Sequence, residues 1–198
     1  MPWVHGLAST SSNDVEVPEI AERMAGLVGT RDDGGYGGIA VPFGEGSVLA
    51  SFHQGVVVLD GKDAVIGRAP GFDAMGSADD LVAVAVGDAG LDKPVIVLVV
   101  TRGGHRENTT SLVVLQTGRQ SQLQRIFDAP VEEHAGDETF TGSLVFVSQG
   151  LVYQRPRGDI ERWKFDASRH RYVVDQPASR ARSPSAGATT SPSPRTAN

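Results

Sequence analysis

Leu81-Val-Ala-Val-Ala-Val86, Val95-Ile-Val-Leu-Val-Val100 and Leu112-Val-Val-Leu115 are three short apolar strings joined by two polar connections. Their length and their content of β-branched residues suit strands, since helices usually need ten or more residues. Gly87 and Pro94 bound the first connection, which is too short for the helical crossover that parallel strands require. The strings therefore pair antiparallel, and Leu123-Gln-Arg-Ile-Phe127 offers a fourth strand. None of the three alternates apolar with polar residues, so the sheet they build is covered on both faces rather than wetted on one. The predicted fold is all-β, with antiparallel meanders stacked as propeller-like blades; a β-sandwich with extra layers is the alternative.

Outward from this centre, Ser47 to Phe52 and Val56 to Asp60 flank a tight turn at His53-Gln-Gly55. Residues 144–147 and 151–154 repeat that hairpin around Ser148-Gln149-Gly150, and 160–165 and 172–174 close the ordered part. Residues 18–28 read as one short amphipathic helix: Pro18 suits a first turn, Ile20, Met24, Leu27 and Val28 share a face, and Gly29 can stop it. The organisation expected is a leader over 1–39 with this helix and a glycine-rich linker, an all-β domain over 40–175, and a disordered Ser/Pro/Ala/Thr tail over 176–198. Residues 1–15 are read as a loose end that Trp3 or His5 could anchor, and 68–80 as an irregular connection.

The chain has 198 residues, 39% of them hydrophobic, and no cysteine, which excludes disulfides, thiol catalysis and thiolate metal sites. Its formal charge is −6, although all three arginines after Ala178 stand without a single acid. The preceding body is thus more acidic still, which disfavours nucleic acid and anionic membranes as partners. No stretch reaches the length of a membrane span, and the first thirteen residues lack the pattern of a secretion signal.

The starts of three hairpin units, Ser47, Val95 and Ser143, are 48 residues apart. A period near fifty with about four strands per unit fits propeller blades. Residues 80–130, chiefly Asp80-Leu-Val-Ala-Val-Ala-Val-Gly-Asp-Ala-Gly-Leu-Asp-Lys-Pro-Val-Ile-Val-Leu-Val-Val100, resemble a repeat of the FG-GAP/VCBS type found in integrin-like propellers and many bacterial surface proteins. The resemblance implies a bacterial binding or scaffolding module acting in the periplasm or outside the cell. Such repeats carry an Asp-rich calcium loop, which here retains only Asp88 and Asp92. These two are the candidate metal ligands; no cofactor is otherwise expected, because calcium wants six to eight oxygens.

The 101–111 loop holds Arg102, His105, Arg106, Glu107 and Asn108 beside a glycine pair, the best candidate contact surface for a protein or small-ligand partner. The acidic 131–138 segment surrounds His134 with four carboxylates. The five histidines show no metal-ligand spacing, and no Gly-x-Ser-x-Gly elbow is present. A non-catalytic binding module is the expected function. The alternative is a hydrolase whose site is assembled from the 101–111 and 131–138 loops.

Overall fold

The computed structural model describes residues 1–30, 37–104, 107–148 and 150–175. In chain order these form β1 (Val4–His5), β2 (Ala8–Asn13), α1 (Pro18–Val28), β3 (Gly38–Phe43), β4 (Gly46–Ser51), β5 (Gly55–Leu59), β6 (Val65–Ala69), α2 (Gly71–Met75), β7 (Asp80–Asp88), β8 (Val95–Gly103), β9 (Glu107–Thr117), β10 (Leu123–Ala135), β11 (Glu138–Thr141), β12 (Ser143–Val147), β13 (Gly150–Gln154), β14 (Ile160–Asp166) and β15 (Arg171–Val174). Among the described residues no helix is long and apolar enough to cross a membrane.

Three sheets result, each built on a four-stranded antiparallel meander: β3-β4-β5-β6, β7-β8-β9-β10 and β12-β13-β14-β15. They stack in the manner of propeller blades. The middle meander packs one face on the first sheet and the other on the third, and strand periodicity assigns alternate residues to each side. Ile96, Leu98, Val100, Val113 and Leu115 join Val41, Val48 and Val58 of the first sheet. Val97, Val99, Leu112 and Val114 join Leu144, Phe146, Leu151 and Tyr153 of the third. Val84 and Val97, which belong to opposite sides, are both 0% exposed. Apart from Val82 near the start of β7, which is 36% exposed, the unbroken apolar strings are thus the sequence of a sheet covered on both faces.

On the outside of the first sheet, α1 lays Met24, flanked by Ile20, Leu27 and Val28, across Leu49, Val57 and Leu59. Pro18 opens this helix, and Gly29 ends it in the left-handed region (φ 71°), its N–H donating to the Ala25 carbonyl.

Several expectations need correction. Residues 4–13 are not loose. β1 joins the third sheet in parallel with β12, and β2 pairs antiparallel with β7 in the second. Pairing of this kind uses backbone groups, which a Ser/Thr-rich segment supplies as well as an apolar one, and Trp3, Val4 and Leu7 add packing against the inter-sheet core. Gly6 makes the switch between sheets at φ +78°, where a Cβ would collide with the Phe146 carbonyl. Residues 68–80 contain the short α2. The 101–111 loop shrinks, because β8 runs to Gly103 and β9 begins at Glu107. The acidic 131–138 segment is mostly strand, as β10 continues to Ala135 and turns directly into β11. The 48-residue spacing joins equivalent strands once only: Ser47 and Val95 lie in the second strands of their meanders, whereas Ser143 opens the first strand of the third. The β10–β11 hairpin inserted between the second and third meanders breaks the period. The glycine-rich linker, apart from its end, and the 176–198 tail lie outside the described residues.

Truncating Leu98 to Ala should cost about 2–5 kcal/mol in denaturant unfolding, because that site is closed by two sheets. Val147→Ala, at a residue 44% exposed, should stay within about 0.5 kcal/mol of the parent. A second prediction concerns alkali. Burial, as the largest cause, pushes the Tyr153 and Tyr172 phenols up to about 12 from 10. Raised folded-state values make their contribution to stability full below pH 10 and progressively lost as pH climbs from 10 through 12. The Tyr172 hydroxyl has no partner among the described residues, whereas that of Tyr153 donates to the Pro130 carbonyl at 2.5 Å. Tyr172→Phe should therefore leave neutral-pH stability unchanged or improved while flattening the alkaline decline, as unfolding curves taken across pH would show.

Candidate functional site

The side chains singled out in the sequence turn out to be spread over several elements. Arg102 lies beside Gly76 at the end of α2, and its terminal nitrogens are engaged while its buried Nε has no partner among the described residues. Its guanidinium donates to Ser111 Oγ at 2.9 Å and, with both terminal nitrogens, to the Asp128 carboxylate at 3.0–3.2 Å. Arg125 shares Asp128 and also donates to the α2 carbonyls of Phe72 and Asp73. Arg125 thus ties sheet to helix, and Arg102 is held against Asp128 within the sheet. His105 and Arg106 lie outside the described residues. Glu107 and Asn108 open β9, opposite Ala135 and His134. The two segments proposed to assemble a hydrolytic site consequently meet as hydrogen-bonded strands. His134 has both ring nitrogens occupied, Nε2 lying 2.8 Å from Glu132 and Nδ1 3.0 Å from the Thr139 hydroxyl.

Asp88 accepts the Gly90 N–H at 2.7 Å and so closes the β7–β8 turn. Asp92 stands 3.5 Å from the Gln116 amide nitrogen. Among the described residues no group of three or more His, Asp or Glu could hold a metal ion.

A different place gathers more chemistry. Antiparallel meanders put alternate turns at the same end, and here the connections over 89–94, 118–122 and 167–170 come together beside the seam between the second and third sheets. They enclose two adjoining cavities of about 560 and 500 Å³ that share Asp92, Ala167 and His170. Leu91 and Phe165 make the larger one apolar; Lys93, Arg119 and Arg169 make the smaller one cationic.

The charges in this groove are unevenly balanced. Arg169 is 3.5 Å from Asp166, and Lys164 is 3.2 Å from Asp175. Asp166 is held below the usual carboxylate range, first by the Ser168 hydroxyl donating to it at 2.6 Å and then by backbone N–H groups and Arg169. Lys93 donates only to the Thr117 carbonyl, at 2.9 Å. Arg119 has no ion pair or hydrogen bond from its guanidinium among the described residues. Two cations thus face one cavity with no carboxylate partner, on a chain whose net charge is −6.

Backbone and buried polar atoms mark the same end. Among the described residues four non-glycine positions have positive φ, and three of them, Gln120, Ser121 and His170, lie in the turns that form this groove. Such conformations cost about 1 kcal/mol or more each and persist where the surroundings impose them, often at ligand sites. His170 packs edge-on against Phe165, and its Nε2 is buried without a partner. The fully buried Gln116 donates to the Lys93 carbonyl, while its own oxygen is unpaired. Buried polar atoms without partners are few in native structures, so two of them beside one groove are informative.

Comparison of the chain with family models, curated proteins and solved structures finds no match. The groove therefore has to be judged on its own chemistry. It can accept an anionic group at Lys93, Arg119 and Arg169 and an apolar group against Leu91 and Phe165. Sequence reasoning passed over most of these residues, because Lys93 and Arg119 stand singly at turn positions without any run or motif. The signal available was the lone basic residue in each of several short connections, and only the topology makes them neighbours.

A further cleft, of about 450 Å³, lies between β10 and the β13–β14 turn. Its charges are already matched, Arg155 with Glu161 and Arg157 with Glu133. The aromatic and basic residues around it serve packing: Tyr153, Trp163 and Tyr172 all set their rings edge-on to Phe127, 5.2–6.3 Å away.

Arg102 and Asp128, with side chains only 23% and 25% exposed, should act on stability rather than on ligand capture. Arg102→Ala should destabilise by about 1–3 kcal/mol in chemical unfolding and leave any ligand bound at the 118–122 turn unaffected, as titration of the variant would show.

Proposed function

We propose that the protein is a non-catalytic binding module whose ligand occupies the groove at the 89–94, 118–122 and 167–170 turns. One observation carries the reading: Lys93 and Arg119, neither in an ion pair among the described residues, converge with His170 on cavities large enough for a small organic molecule. The site sits on turns held by rigid sheets, the usual place for binding residues. The likeness of residues 80–130 to FG-GAP/VCBS repeats supports the same reading, since repeats of that type build binding and scaffolding modules.

Hydrolysis is supported less well. At the groove, the Ser168 hydroxyl donates to Asp166 and not to His170, and a carboxylate held below its usual range is too weak a base to activate that nucleophile. The other imidazole considered, His134, is tied to Glu132 and Thr139.

Backbone amide NMR with a panel of phosphate monoesters, carboxylic acids, amines and neutral alcohols tests the proposal. At least one compound should shift amides clustered at 90–93, 118–122 and 164–170. Shifts confined to other surfaces, or none with any compound, would overturn it. So would turnover of a p-nitrophenyl ester that His170→Ala abolishes.

A further inference from the structure

Resting on the groove reading above, we infer that the ligand is a small phosphate monoester with an apolar body, the phosphate seated among Lys93, Arg119, Arg169 and His170 and the body against Leu91 and Phe165. The argument begins with charge. The smaller cavity sets Lys93 and Arg119 against the single carboxylate of Asp92, so a neutral ligand would leave an excess of positive charge in a site it partly dehydrates, which is costly. An anionic ligand offsets that excess.

Geometry points the same way. The donors come from three separate turns: Lys93 from β7–β8, Arg119 from β9–β10, and Arg169 with His170 from β14–β15. A tetrahedral group with several acceptor oxygens can receive donors arriving from several directions. A planar carboxylate is served by one guanidinium fork. His170 lines both cavities and so stands at the boundary between the phosphate and the apolar body.

Size and surroundings limit the ligand. The apolar cavity, of about 560 Å³, accommodates a ring or a short chain behind the phosphate. Long polyanions are disfavoured, because the chain as a whole carries a net charge of −6.

Isothermal titration of the full chain with phenyl phosphate, benzoate, benzyl alcohol and inorganic phosphate separates the possibilities. Phenyl phosphate should bind most tightly and inorganic phosphate more weakly, for want of the contact with Leu91 and Phe165. Affinity should fall with added salt. Arg119→Gln and Lys93→Met, at solvent-facing turn positions, should each weaken phenyl phosphate by about tenfold to a hundredfold with unchanged melting temperature. Lys62→Met, in the β5–β6 turn, should change nothing. Phe165→Ala should bring phenyl phosphate down towards inorganic phosphate. Equal binding of benzyl alcohol or benzoate, with amide shifts still at the groove, would overturn the phosphate assignment and leave the binding-module reading standing. Phenyl phosphate shifting amides only elsewhere would overturn both.

Discussion

Everything in this molecule depends on one sheet being dry on both sides. In β8 every residue from Val95 to Val100 is buried, and neighbours in the strand look into different cores. Such a strand gains from burial along its whole length, at roughly 25 cal/mol per Å² of apolar surface. It does so only while a sheet lies on each side of it. The first and third sheets are therefore required by the second, and α1 in turn shields the outer face of the first. The order helix, sheet, sheet, sheet follows from where apolar surface has to be hidden.

That stacking also explains where a ligand can go. Between the sheets, side chains fill the space and no charged group is free. At the ends of the strands the backbone must reverse, and the turns carry polar residues because their peptide groups face water. Where turns of two adjacent sheets border the same seam, isolated cations become a cluster. Lys93 and Arg119 are far apart in the chain and share one cavity for this reason alone. The Arg102–Asp128–Arg125 group shows the opposite fate of charge in the same protein: there, both arginines are paired with one carboxylate, and Arg125 locks α2 to the sheet.

How much was legible in advance follows from which interactions are local. The apolar strings at 81–86, 95–100 and 112–115 revealed a doubly covered antiparallel sheet, because burial on both faces leaves its mark in each strand separately. The α1 helix was equally plain, with Pro18 at its start and Gly29 at its end. Strand formation by Ala8–Asn13 was not, since its main reward is pairing with β7, a partner that no local pattern announces. The acidic residues around His134 suggested a solvated loop, yet polar residues suit an edge ribbon such as β10–β11, where side chains need not be buried. Arg102 looked like a contact residue because its partner Asp128 is twenty-six positions away. The groove was invisible for the same reason: nothing in a single lysine at a turn says which other turns will stand beside it.

The seam made by β1 and β2 has a consequence for how the chain is assembled. β1 can bind only once β12 exists, and β2 only once β7 exists, so both strands are made well before their partners. Contacts this distant along the polypeptide close slowly. A waiting strand rich in leucine and valine would be a hazard, offering its edge to any other chain. Ala8-Ser-Thr-Ser-Ser-Asn13, which waits for β7, is polar enough to stay in water until its partner is made.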